Sequence, residues 1–118
     1  MAVTVLIVDD HPSFRSSART LLEAEGYDVV GEAEDGESAV DAAVKLHPDL
    51  VLLDVQLPDI DGFEVAARLR KREDAPVVIL TSSRDGADYG RCIADCGAHG
   101  FVPKAELSGA AIAALYAA

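Results

Sequence analysis

The stretch VLIVDDHP, residues 5–12, runs four apolar residues without a break into Asp9, Asp10 and His11, and then stops at Pro12. An unbroken apolar run of this kind reads as a strand buried on both faces, because a half-solvated strand would alternate with polar residues. Two adjacent carboxylates at its end repel each other, and the run itself offers no compensation. The same design recurs further along the chain. Leu50–Leu53 run into Asp54, and Val77–Leu80 run into Thr81.

Working outward, apolar or β-branched runs at Val3–Val8, around Val29 and Val30, at Leu50–Leu53, at Val77–Leu80 and more weakly at Phe101 and Val102 make five strand candidates. Between them lie segments with helical spacing: Phe14, Ala18, Leu21 and Leu22; Ala39, Val40, Ala43 and Val44; Phe63, Ala66, Ala67 and Leu69; Tyr89, Cys92, Ile93 and Cys96. A last segment carries Ile112 and Leu115. Asp35, Asp61 and Asp85 can each cap a helix, Glu64 completes a capping-box spacing with Asp61, and Gly97 can end a helix.

Five such βα units imply an α/β fold: a doubly wound parallel five-stranded sheet with right-handed crossovers and helices on both faces. The most continuously apolar strands, the first, third and fourth, belong inside the sheet. Pro103 lacks a donor and suits an edge. The expected strand order is 2-1-3-4-5, a flavodoxin-like arrangement, with residues 1–118 forming one domain.

Composition narrows the function. Twenty-one acidic against ten basic residues give a formal net charge of -11, which repels a phosphate backbone and argues against direct nucleic-acid binding. The longest apolar runs are only a few residues, so the sequence predicts no membrane span, signal peptide or lipid anchor, and a cytoplasmic protein. Cys92 and Cys96 stand four apart, a helical spacing too wide for a disulfide, and read as reduced core thiols. A metal set from Cys92, Cys96 and His99 lacks an evident completing ligand.

Ligands of open α/β sheets bind beyond the carboxyl ends of the strands, where the winding reverses. By that rule Asp9, Asp10, Asp54, Thr81 and Lys104 converge on one sheet edge. Singly, each has a plainer reading: the aspartates of the first run as caps, Thr81 as a turn residue, Lys104 as a solvated one. Asp54 resists that reading, because the next helix begins only near Asp61. Three carboxylates in one crevice raise one another's pKa values unless a cation neutralises them, and an oxygen-only set suits Mg²⁺. His11, with no second histidine near a strand end, reads as a turn residue. With a divalent cation bound, Asp54 is the best placed nucleophile toward a phosphoryl group.

These residues resemble the receiver domain of two-component response regulators, the CheY-like family, over essentially the whole length. VLIVDDHP, PDLVLLDVQLPDIDGFE, PVVILTSS and GAHGFVPK carry the resemblance. It implies that Asp54 accepts phosphate from a sensor histidine kinase or phosphotransfer protein. It implies that Asp10, Asp54 and the Gln56 main-chain carbonyl ligate Mg²⁺, with Asp9 acting through a water. Lys104 would pair with the phosphoryl group, Thr81 would move toward it, and Phe101 would be the aromatic switch, while Gln56 and Ser83 match positions that tune phosphoryl lifetime. GAHGFVPKAEL is similar to receivers of the LuxR/NarL type, which implies transcription regulation through a DNA-binding output domain absent from these residues, and homodimerisation on phosphorylation. The family often has proline after the lysine and a cis bond there, whereas this chain has Ala105.

Two other functions remain in view. A phosphatase of the haloacid dehalogenase type also forms an aspartyl phosphate, but its second carboxylate would stand where this chain has Gln56. The other is a receiver-like interaction domain that takes no phosphate. No glycine-rich nucleotide loop follows a strand.

Overall fold

Strand alternation divides the core in two. The computed structural model of the protein describes residues 2–83, 93 and 95–116. Its elements are β1 (Thr4–Val8), α1 (Pro12–Ala24), β2 (Asp28–Ala33), α2 (Gly36–Leu46), β3 (Leu50–Asp54), α3 (Gly62–Arg70), β4 (Val77–Ser82), β5 (Gly100–Pro103), a 3-10 turn over Lys104–Glu106 and α4 (Gly109–Tyr116). All strand pairs are parallel, in the order β2-β1-β3-β4-β5. This is the expected doubly wound sheet.

Val5, Ile7, Leu50, Leu52 and Ile79 face α1 and α4, where they pack with Ala18, Leu22 and Ile112. Leu6, Val8, Val51, Leu53 and Leu80 face the other way and pack with Ala39 and Ala43 of α2 and with Val65, Ala66 and Leu69 of α3. Both faces of the central strands are thus covered, which is why their sequences are apolar without alternation. β5, with Pro103 opposite Ser82, is an edge strand as its proline requires.

Local signals fix the helix starts. Pro12 opens α1, where its missing N–H leaves no bond unmade. Asp61 Oδ1 accepts from the Glu64 N–H at 2.8 Å, and Asp35 Oδ1 accepts from the Ser38 N–H at 2.8 Å, as their spacing predicts. The start of α2 has a further partner that the sequence conceals: Asp59, on the loop after β3, accepts from the N–H groups of Gly36 at 2.8 Å and Glu37 at 3.0 Å.

The structure redraws several limits. β1 begins at Thr4 rather than Val3, and β4 continues through Thr81 to Ser82, so Thr81 lies within a strand. Gly97 has φ +80°, the left-handed conformation expected where a helix ends. The predicted cap Asp85, with Tyr89 and Cys92 of the fourth helical segment, lies outside the described residues.

Candidate functional site

Strand register brings the polar strand ends together. Val8 pairs with Leu53 and Asp54 pairs with Thr81, so the residues that follow β1 stand beside the last residue of β3. Backbone bonds lock this edge: the Asp9 N–H donates to Ala33 O at 3.0 Å and the Val55 N–H to Thr81 O at 2.9 Å. Gly62 seats α3 directly against it. A Cβ at that position would stand 2.3 Å from the Asp54 carbonyl oxygen, so only glycine lets the helix begin there.

Asp9 and Asp54 are buried, with relative exposures of 0% and 2%, whereas Asp10 is open to solvent. Lys104 bridges the two buried carboxylates: its Nζ lies 2.6 Å from Asp9 Oδ2 and 3.3 Å from Asp54 Oδ2. The same ammonium sits 4.5 Å above the centre of the Phe14 ring. Asp54 Oδ1 accepts from the Gln56 N–H at 3.1 Å. Asp9 Oδ1 accepts from the His11 N–H at 2.8 Å, and Arg15 Nη1 donates to the Asp9 carbonyl at 2.6 Å. Thr81, equally buried, has no hydrogen-bond partner for its Oγ1 among the described residues.

Burial pushes the Asp54 carboxyl above its usual range; the Gln56 N–H opposes that, the Asp9 charge adds to it and Lys104 opposes it. For Lys104, burial pulls downward, yet the hydrogen bond to Asp9 and the charges of Asp54 and Asp9 outweigh it, and the ammonium is held above its ordinary value. The ligating atoms of Asp9, Asp10, His11 and Asp54 all lie within 4.8 Å of one another. Among the described residues, three carboxylates face the Lys104 ammonium, an excess of negative charge of the kind that a divalent cation would neutralise.

Of the residues singled out from the sequence, Asp9, Asp10, Asp54 and Lys104 are gathered directly, and Thr81 stands on the neighbouring strand. Gln56 is exposed beside them, its N–H already engaged by Asp54. Phe101 pairs with Leu80 and packs on the α2 and α3 face, while Thr81 pairs with Val102 of the other face, so the two stand one pair apart with strand alternation between them. Ser83 is exposed at the end of β4. His11 is not the bystander expected of a turn residue: it is the N-cap residue of α1, and its Nδ1 lies 3.0 Å from both Asp9 Oδ1 and Asp10 Oδ1.

Phe14, read from its spacing as a core residue, in addition covers the lysine, and Arg15 was missed entirely. Their places one turn into the helix that follows the acidic pair were the available signal. No described peptide bond is cis, that between Lys104 and Ala105 included. Cys96 is buried with Sγ donating to Ile93 O at 3.3 Å, and His99 Nδ1 accepts from the Val78 N–H at 3.1 Å; Cys92 lies outside the described residues. Among the described residues, no helix is long and apolar enough to cross a membrane.

Known proteins resemble this chain in sequence and fold. The family model of the response regulator receiver domain matches residues 5–115. The DNA-binding transcriptional activator EvgA of Escherichia coli (strain K12) is 38% identical over 116 residues, covering 98% of this chain and 57% of its own. A LuxR-family two-component response regulator from Aurantimonas superposes with a TM-score of 0.89 at 32% identity, covering 99% of this chain and 86% of that one. The signal receiver domain of the response regulator NarL from Mycobacterium tuberculosis gives 0.86 at 34% identity, covering 97% and 96%. The chain spans about half the length of the curated transcription regulators it matches. A match over nearly every residue, to proteins similar in overall fold as well as in sequence, makes this chain a member of the response regulator receiver domain family of two-component signalling, with relatives of the LuxR/NarL type.

Proposed function

We propose that this chain is a phosphorylation switch in which Asp54 accepts a phosphoryl group from a sensor histidine kinase or phosphotransfer protein. The observation that carries this reading is the bridge of Lys104 between buried Asp9 and Asp54, which leaves one negative pocket short of positive charge. A Asp54 carboxylate oxygen attacks phosphorus, the bond from phosphorus to the donor imidazole breaks, and the imidazole leaves with the bonding pair and takes up a proton. Asp54 Oδ1 is oriented for this by the Gln56 N–H, and Lys104 neutralises part of the charge that arrives.

The donor set fits a hard divalent ion. Asp10, Asp54 and the Gln56 carbonyl would hold Mg²⁺, with Asp9 assisting through a water. When bound, the ion supplies charge neutralisation for the transferring oxygens. Thr81, buried and with no partner for its hydroxyl among the described residues, would offer a donor to a phosphoryl oxygen. Its movement would be read by Phe101 and passed to an output region.

We further propose that residues 1–118 form one receiver domain that catalyses only its own phosphorylation and dephosphorylation, acts in the cytoplasm, and controls a LuxR-type DNA-binding region or dimerises on phosphorylation. Gln56 in place of a second carboxylate weighs against a dehalogenase-type phosphatase. The test is incubation with a small phosphodonor and Mg²⁺, followed by intact-mass measurement. One added phosphate on the wild-type protein and none on Asp54→Asn is expected. Equal labelling of the two, or steady turnover of a phosphoester, would sink the reading.

A further inference from the structure

A cavity at the amino end of the sheet has no part in the proposed function. Its volume is about 560 Å³, within the span of small-molecule sites, and its walls include Val3, Glu25, Tyr27, Gly109, Ala113 and Tyr116. Val3 precedes β1 and Asp9 follows it, so the cavity and the acidic pocket lie at opposite ends of that strand. Two glycines build it. At the end of α1 the Gly26 N–H donates to Glu23 O at 3.1 Å and the Tyr27 N–H to Leu22 O at 3.0 Å, and Gly26, with φ +93°, supplies the left-handed residue that this turn requires. The turn delivers Tyr27, whose hydroxyl donates to the Gly109 carbonyl in a long bond of 3.5 Å. At Gly109 a Cβ would stand 2.5 Å from Glu25 Cγ, so its absence lets the glutamate lie across the start of α4.

The walls carry negative charge and ring faces with no positive side chain to meet them. Among the described residues Glu25 has no ion-pair partner, and no Lys, Arg or His lines the cavity. Glu25 and Tyr116 stand close enough to Tyr27 that their charges add to burial in holding its phenol above the ordinary value. An anion would find about half a positive charge at the start of α4, which the full charge of Glu25 already overrides. A cation is attracted over the faces of phenol rings, and Val3 and Ala113 offer apolar surface to a hydrocarbon body. We propose that this cavity binds an organic ammonium ion, a charged amine carried on a small apolar group, with Glu25 as its counter-ion and Tyr27 and Tyr116 as its ring partners. The site goes beyond the phosphorylation reading and stands whether or not Asp54 takes phosphate.

The test is a titration of the whole unphosphorylated chain at about 0.15 M salt, followed by amide NMR, with benzylammonium, the neutral benzyl alcohol and the anionic benzoate as probes. Benzylammonium should shift the amides of residues 25–27 and 109–113 saturably and bind about tenfold tighter than benzyl alcohol, with benzoate silent there. Glu25 is exposed, so Glu25→Gln leaves the fold intact. That variant should weaken benzylammonium at least about threefold and leave benzyl alcohol unchanged, and Tyr116→Leu should weaken the ammonium more than the alcohol. The proposal is overturned by the absence of saturable shifts at these residues, by shifts that centre on Asp9 and Asp54 instead, by equal affinity for the alcohol, or by full benzylammonium affinity in Glu25→Gln. Sedimentation velocity of the same unphosphorylated chain should show a monomer. A dimer that Ala113→Arg dissociates would make this face an interface between copies and overturn the proposal as well.

Discussion

Lys104 holds two buried carboxylates at once, and that double duty sets what its removal does. From sequence alone it reads as a residue that serves the phosphorylated state more than the fold. The bridge to Asp9 and Asp54 is formed without any phosphate, so the ammonium stabilises the resting protein too. Lys104→Ala leaves two buried carboxylates facing each other and should lower stability by about 1–3 kcal/mol. Chemical denaturation with and without Mg²⁺ checks this: the deficit should shrink as Mg²⁺ is added, and a deficit indifferent to Mg²⁺ would count against a shared anionic pocket. Asp54, Asp9, Asp10 and Lys104 were legible because each ends or follows an apolar run. Phe14 was legible as a core residue but not as part of the pocket, because helix α1 carries it back over Lys104 after the chain has turned, and a strand-end rule does not follow the turn.

Among the elements, α2 shows how a loop near the pocket is tied to the fold. Asp59 lies only five residues beyond Asp54, yet it binds the first N–H groups of a helix that precedes it by more than twenty residues. The local cap Asp35 could be read from its spacing; Asp59 could not, since nothing in its neighbourhood names the distant helix. The N–H groups of Gly36 and Glu37 hold the Asp59 carboxyl down at about 2, from an ordinary value of 3.8. A depressed folded-state value means a contribution fully present above the ordinary value and lost as pH falls toward 2. Asp59→Asn should therefore be less stable than wild type above about pH 4, with the gap closing below it. Denaturant midpoints across that range test this, and a gap that is constant with pH would contradict it. β3 makes a sharper case. Leu52 is fully buried between β1 and β4 on the α1 and α4 face, and Leu52→Ala should cost about 2–5 kcal/mol, measured by the same method.

For the whole molecule, the strand order follows from which runs are apolar throughout: the three innermost strands need cover on both sides, and Pro103 sends β5 to an edge. What the sequence understated is the reach of β4, whose last residues Thr81 and Ser82 are polar but fully buried; a polarity pattern ends a strand where burial does not. That reach sets Thr81 beside Asp54, between the proposed acceptor and the edge strand. Chemical-shift mapping with a phosphoryl mimic should show changes spreading from Asp54 through Thr81 to β5 in wild type, and stopping short of β5 in Thr81→Ala; identical maps would remove Thr81 from the route.

The central claim is that the acceptor is Asp54 and no other carboxylate of the pocket. Borohydride reduction of the freshly phosphorylated chain converts an aspartyl phosphate to homoserine, and peptide sequencing by mass spectrometry then locates it. Homoserine at position 54 alone is the expected result; homoserine at position 9 or 10, or none at 54 in a chain that has gained phosphate, would contradict the account.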